Sequence, residues 1–388
     1  MGLIKDKLYA YLINRLEVNT RERFVANINL DITQKQTRVL LVYLDMFYSS
    51  KQIIKNGDDK SSGTCHTNRY ELFQLIKSLI DLNCCVDVCA NYDMEAIKYI
   101  ERYEYDVVVG LGDVFRYVIQ HTNAYKILYM TENPYYISLE REQERVDYFK
   151  LRKGKEASLY RTGLFFQEND EKNVDAIICM GESQYFQDLN IPIERIFPSA
   201  FYNKSFNGFT HRVKNHFLVL GTDGFIHKGI DLLIDTFNKH LDWQLFICGY
   251  HVTEEANRLG LCMTENIHDC GYISVDSKEF AKLAGHCTFI LLPSCSEGMS
   301  TAIMTGMRHG MIPIVTRGNG FDILSQFCYY FEGFHLDVIE EKIIEVLQLS
   351  DVEIEKLQSD IYDYANAHFS LDNYSREIYK ILKRLIKE

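Results

Sequence analysis

The sequence predicts an α/β protein built from two parallel-sheet domains. Three observations carry that expectation. Apolar runs of strand length alternate with segments of helical period along most of the chain. The alternation stops and restarts around a polar stretch near Phe197 to Asn215, where Pro198, Asn203, Asn207 and Gly208 cluster. With 388 residues, the chain has enough length for two cores of ordinary size.

The N-terminal MGLIKDKLYAYLINRLEV has an apolar stripe with lysines on the other face, and a helical leader is expected over 1–35. RVLLVYLDMF (38–47) then reads as a strand, its near-continuous apolar run being what a parallel strand covered on both faces gives. RYELFQLIKSLIDLN follows with a helical period. CCVDVCA, YDVVVGLG, KILYMTE and AIICMGE are further strands, each ending in a polar or glycine-containing turn. In the second series HFLVLG, QLFICGY, TFILLP and IPIVT are strands; GIDLLIDTFNKH, SKEFAKLAGH and the stretch after Glu297 are helices. Strand–helix alternation at this spacing makes each half Rossmann-like, since parallel strands need right-handed helical crossovers. The tail HFSLDNYSREIYKILKRLIKE is amphipathic and expected to pack on a domain surface. The division is 1–205, 206–365 and a closing helix over 366–388.

Composition narrows the function. An apolar fraction of 47% with 25% charged residues is that of a soluble globular protein. A net charge of −12 argues against general nucleic-acid binding, because phosphates would be repelled. The eleven cysteines include no paired C-x-x-C, so reduced core thiols are expected, with no structural zinc. No stretch of about 18–20 apolar residues is present to span a bilayer. A cytoplasmic chain is expected, with peripheral contact at the inner face of the cell membrane.

In open parallel sheets, ligands sit beyond the carboxyl ends of the strands. There the second half offers Gly221 to Gly224, Gly249-Tyr250, Gly271-Tyr272 and Ser294 to Gly298. A helix beginning near Ser300 and Thr301 would aim free N–H groups at this mouth, and Lys228 would bring a point charge to it. Together they describe a pyrophosphate site. Singly they have plainer readings: Ser300-Thr301 as a simple N-cap, Lys228 as a solvated charge, Glu297 as a cap or salt-bridge partner.

HKGIDLLIDTF followed by LLPSCSEGMSTAIMTGMRHGMIPIV resembles the C-terminal domain of GT-B-fold retaining glycosyltransferases of the family 4 type. IFPSAFYNKSF and HFSLDNYSREIY are similar to that family's linker and crossover helix. The resemblance implies two Rossmann-like domains facing across a cleft, with the last helix crossing back to the first. It implies a nucleotide-sugar donor on the second domain and a saccharide acceptor, lipid-linked by family habit, on the first. Glu297 matches the first acid of the family's Glu-x7-Glu motif. Gly298, Met299, Ser300 and Thr301 match the stretch that cradles sugar and phosphate, Lys228 the pyrophosphate lysine, and Tyr272 the nucleobase contact. Gly63 lies in the loop expected to approach the donor phosphate. The pattern departs at Thr305, where the second glutamate would stand, and at Thr222, where a phosphate-binding arginine would.

Glu132, closing the fourth strand, is expected to position the acceptor hydroxyl or stabilise charge at the anomeric carbon; a helix-capping Glu-Asn-Pro turn is the alternative. YFKLRKGKEASLYRTGLFF (148–166) mixes aromatics with Arg152, Lys153, Lys155 and Arg161, which reads either as an acceptor or anionic-membrane patch or as a solvated helix. No D-x-D stands in a metal-binding strand-end setting, so a metal-independent hexosyltransferase without cofactor is expected. A non-catalytic GT-B subunit of a polysaccharide-assembly complex is the alternative.

Overall fold

The computed structural model describes residues 24–44, 67–209 and 211–387. The first domain contains β1 (Phe24–Ile28), β2 (Thr37–Tyr43), α1 (Thr67–Asp81), β3 (Cys84–Ala90) and α2 (Ile97–Ile100). It continues with β4 (Val107–Gly110), α3 (Gly112–Gln120), β5 (Tyr125–Met130), α4 (Tyr135–Lys153), β6 (Ala176–Cys179) and β7 (Ile193–Arg195). Its sheet runs β1-β3-β2-β4-β5-β6-β7, parallel throughout except for β1. β3, β4 and β6 are buried end to end, and β2 and β5 over all but their first two residues, as near-continuous apolar runs require.

The second domain contains β8 (Val213–Leu220), α5 (Ile230–Phe237), β9 (Gln244–Cys248), α6 (Val252–Leu259), β10 (Ile267–Gly271) and α7 (Lys278–Ala284). Then come β11 (Cys287–Leu292), α8 (Thr301–Arg308), β12 (Ile312–Thr316), β13 (Tyr329–Phe331) and α9 (Leu336–Leu347). The sheet is β10-β9-β8-β11-β12-β13, all parallel, so strand order reverses between β8 and β11. Two helices close the chain, α10 (Asp351–His368) and α11 (Leu371–Lys387). A capping box of Ser350 and Glu353 starts α10.

One expectation is corrected at the N-terminus. Residues 24–28, inside the span read as a helical leader, form an antiparallel edge strand on β3. Buried Asp87 explains the strand: it accepts from the Asn27 amide at 2.7 Å, from Arg38 at 2.6 Å and from the Tyr105 hydroxyl at 2.9 Å. Residues 1–23 lie outside the described residues.

Three segments tie the domains together. The linker after β7 is one. The second is α11, whose Tyr374, Ile378, Ile381 and Leu382 belong to the core of the first domain. The third is α4, which starts beside β5 and ends in the second domain, where Phe149 joins the core. Gly154 in the left-handed conformation (φ 65°) stops α4.

Candidate functional site

The site lies where strand order reverses in the second sheet, at the carboxyl ends of β8 and β11. β11 is fully buried and delivers Pro293 to Glu297 into a turn that is itself buried. The facing turn, His227-Lys228-Gly229, leads into α5. Gly229 has φ +69°, and a Cβ there would stand 2.4 Å from the Pro293 carbonyl oxygen. Only glycine allows this approach. The result sets Lys228 Nζ 2.9 Å from Glu297 Oε1, which also accepts from Ser294 Oγ at 3.0 Å. The Glu297 amide donates to Asn319 Oδ1 at 3.1 Å.

The first domain closes over this turn. A Cβ on Gly298 would stand 2.1 Å from the Thr131 carbonyl oxygen, so the two backbones nearly touch. The Asn133 amide nitrogen lies 3.3 Å from Ser296 Oγ and 3.1 Å from the Gly318 carbonyl oxygen. Ser138 Oγ and Ser296 Oγ share a hydrogen bond of 2.9 Å. Arg161, in the segment after α4, hydrogen-bonds Glu132 and places its other terminal nitrogen 3.8 Å from Glu297 Oε2. Glu297, Lys228 and Glu132 are therefore brought together, with Arg161 between the two acids.

A second, fully buried layer supports them. The Glu142 carboxylate on α4 accepts from the amides of Tyr160 (2.9 Å) and Thr162 (2.9 Å). It also lies 2.9 Å from His227 Nδ1. His227 Nε2 is 2.7 Å from the Ser296 carbonyl oxygen, so it donates there. Cys295 Sγ is 3.3 Å from His227 Nδ1. Beyond this layer Arg145 meets Asp231 at 2.6 Å, both without exposure.

These contacts set the ionisation states. Burial pushes the Glu297 carboxyl up, but Lys228, Arg161 and His227 outweigh it and hold the pKa at about 2. Glu142 is likewise held at about 2, burial being overcome by His227 and by Thr162. Burial opposes charge on His227, yet Cys295, Glu142 and Glu297 raise it to about 10. The site is an ionised, paired network across the cleft.

Other expected residues take different places. Met299 packs in the second-domain core. Ser300 is the N-cap of α8, though its hydroxyl makes no capping bond, and Thr301 opens the helix. Thr305 is buried, and its hydroxyl accepts from the Phe201 amide at 3.4 Å, tying α8 to the linker. Thr222 abuts Gly249, whose added Cβ would be 2.1 Å from its hydroxyl, and donates to the Tyr250 carbonyl at 3.2 Å. Tyr272 is half exposed and stacks on Tyr250, with centroids 4.6 Å apart and planes at 8°. Gly63 lies outside the described residues.

The basic patch is divided. Arg152 pairs with Asp231 and Asp235, and Lys153 reaches Asp235 at 2.7 Å, so both turn into the domain contact rather than outward. Lys155 is exposed and donates to the Arg258 carbonyl at 3.3 Å. The sequence reading missed Glu142, His227 and Asn319. His227 carried one signal, its place beside Lys228; Glu142 carried none, because its partner is 85 residues away.

Residues 214–347 match the family described as Glycosyl transferases group 1. No curated protein matches the chain in sequence. Among solved structures, sucrose-phosphate synthase from Thermosynechococcus elongatus superposes with a TM-score of 0.62 at 12% identity, covering 90% of this chain and 99% of that one. WaaG, a glycosyltransferase involved in lipopolysaccharide biosynthesis, gives 0.53 at 12% identity over 91% of this chain and 100% of its own. A variant of TarM from S. aureus, in complex with fondaparinux, alpha-GlcNAc-glycerol and UDP, gives 0.51 at 16% identity over 76% of this chain. The chain spans 58% of that TarM chain. At these identities the likeness is one of fold. The chain has the GT-B fold of the glycosyltransferases, and residues 214–347 carry the sequence pattern of their group 1.

Proposed function

We propose that the protein transfers a sugar from a nucleoside diphosphate donor to a saccharide acceptor with retention of anomeric configuration. One observation carries the reading: Glu297, ionised and held by Lys228, stands at the sheet's switch point under the closing first domain. The Glycosyl transferases group 1 match over that same domain supports it, as does the UDP bound by TarM.

In the proposed reaction the anomeric carbon–oxygen bond breaks and its electron pair goes to the departing diphosphate. Lys228 offsets that charge, with the N–H groups opening α8. The acceptor hydroxyl oxygen bonds to the anomeric carbon, and its proton passes to the diphosphate oxygen. Glu297 orients the donor sugar, and Glu132, on the first-domain side, positions the acceptor hydroxyl. Tyr272 and the backbone around it are proposed to meet the nucleobase. The reaction is proposed to need no divalent ion, so full activity is expected in EDTA.

The acceptor proposed is a lipid-linked surface polysaccharide; the shared fold with WaaG supports this class. No helix among the described residues is long and apolar enough to cross a membrane. Peripheral contact with an anionic membrane is proposed at Lys155, where Leu151, Leu159 and Leu164 are exposed nearby in sequence. Co-flotation with anionic vesicles checks it, and flotation equal to that with neutral vesicles would remove the anionic contact.

Calorimetric titration with UDP-, GDP-, ADP- and dTDP-sugars tests the function. Binding of one donor, lost or much weakened in Lys228→Ala, is expected. Thr222 and Thr305, both committed to structural hydrogen bonds, favour the alternative of a non-catalytic subunit. Absence of binding to all four donors would favour that alternative over the enzyme.

A further inference from the structure

Arg161, read from the sequence as part of a basic-aromatic patch, stands instead between Glu132 and Glu297. It sits in a strap, 154–169, that leaves α4 and runs along the mouth of the second domain. Three contacts seat the strap there. Lys155 donates to the Arg258 carbonyl. The Tyr160 hydroxyl donates to Asp223, and its ring lies where a Cβ on Gly224 would be only 2.7 Å away. The amides of residues 160–162 all point to the Glu142 carboxylate. Since Glu142 also binds His227, one buried acid fixes the strap and the turn that carries Lys228.

Two cations from opposite domains thus converge on one carboxylate. Lys228 holds Oε1 of Glu297 and Arg161 faces Oε2. Neither has spent its donors. Lys228 offers three N–H groups and gives one to Glu297. Among the described residues, the Arg161 guanidinium makes one hydrogen bond, to Glu132; its approach to Glu297 at 3.8 Å is a charge contact too long for another. Both side chains keep partial access to solvent, 26% for Arg161 and 13% for Lys228. On the second domain, the loop after β8 supplies no cation at Thr222, whose hydroxyl is already committed.

We propose that Arg161 binds the diphosphate of the donor together with Lys228, so that the first domain contributes half of the cationic clamp on the leaving group. This rests on the nucleotide-sugar reading above. A guanidinium suits the role because its planar fork can bind two phosphate oxygens at once. The seated strap holds the second cation beside the leaving group, and the charge on the departing diphosphate is met from both sides of the cleft.

The test measures affinity by calorimetry for UDP, GDP, ADP and dTDP and for the matching monophosphates. Wild type, Arg161→Gln, Arg161→Lys and the double variant Arg161→Gln/Glu132→Gln are compared. The double variant avoids leaving Glu132 as an unpaired, half-buried charge. For the nucleotide that wild type binds best, Arg161→Gln and the double variant are expected to lose at least about tenfold in diphosphate affinity, about 1.4 kcal/mol. Monophosphate affinity should change less than about twofold on the same scale, and Arg161→Lys should recover part of the loss. Equal weakening toward diphosphate and monophosphate would show that Arg161 only shapes the strap and would overturn the proposal. So would unchanged diphosphate affinity in the double variant. If wild type binds no nucleotide, the donor reading itself falls, and the clamp with it.

Discussion

Burial opposes charge on the Glu297 carboxylate, and its cationic neighbours outweigh that effect. Lys228 supplies the first of the opposing charges, so removing it should raise the Glu297 pKa from about 2 toward its ordinary 4.5. Lys228→Ala is also expected to slow donor turnover by about 10²–10³-fold, the scale on which a lost leaving-group stabiliser acts. Single-turnover rates with the preferred donor check it. The Glu142–His227 pair has its own pH signature. Glu142 is depressed from 4.5 to about 2, so its stabilisation is present above 4.5 and lost as pH falls through 2. His227 is raised from 6.5 to about 10, so its stabilisation is complete below 6.5 and lost as pH rises through 10. The pair therefore contributes most between 4.5 and 6.5. Glu142→Gln is expected to cost about 3–5 kcal/mol there, read from urea unfolding, because it strands a buried histidine. Glu297 was legible in the sequence because it follows a recognisable strand at its carboxyl end, and Lys228 because it stands just before the next helix. Their supporting pair was not, since a glutamate on a highly charged helix reads as solvated until the facing domain is known.

At the scale of elements, strand–helix alternation conveyed most of the fold. CCVDVCA and IPIVT coincide with β3 and β12, whose side chains are buried on both faces. What escaped depends on partners. β1 is a strand because it pairs with β3 and Asp87, and β7 and β13 are three-residue strands too short for a period to register. The long α4 has a charged sequence because its polar groups face the other domain: Glu142, Arg145 and Arg152 all find partners there. The turn at Gly298 is a point of close backbone approach between the domains. Gly298→Ala puts a methyl group 2.1 Å from the Thr131 carbonyl oxygen. The two backbones must then separate. The variant is expected to show a larger radius of gyration in solution scattering and at least about tenfold lower turnover, as misplacement at a reacting centre brings, with an unchanged circular dichroism spectrum.

Over the whole molecule, two domains share their cores through exchanged elements. Tyr374, Ile378, Ile381 and Leu382 of α11 are buried in the first domain, and the Tyr374 hydroxyl bonds that of Tyr129 at 2.6 Å. Exposing four such side chains costs roughly 1.5–3 kcal/mol each, which in total approaches the whole stability of a typical domain. A chain ending before Leu371 is therefore expected to lose cooperative unfolding of the first domain in a calorimetric scan. The approach of the domains was legible only through family resemblance; no periodicity within either half reports it, because the charges that join them are far apart in sequence. Contact with the first domain buries the turn that carries Glu297, and the proposed reaction centre depends on it. The most direct measurement is donor hydrolysis by wild type and Glu297→Gln across UDP-, GDP-, ADP- and dTDP-glucose, with water standing in for the acceptor. One donor should be consumed by wild type and at least about 10²-fold more slowly by the variant, whose affinity for the nucleoside diphosphate stays within a few-fold. Consumption by Glu297→Gln at the wild-type rate would contradict a catalytic site at this turn.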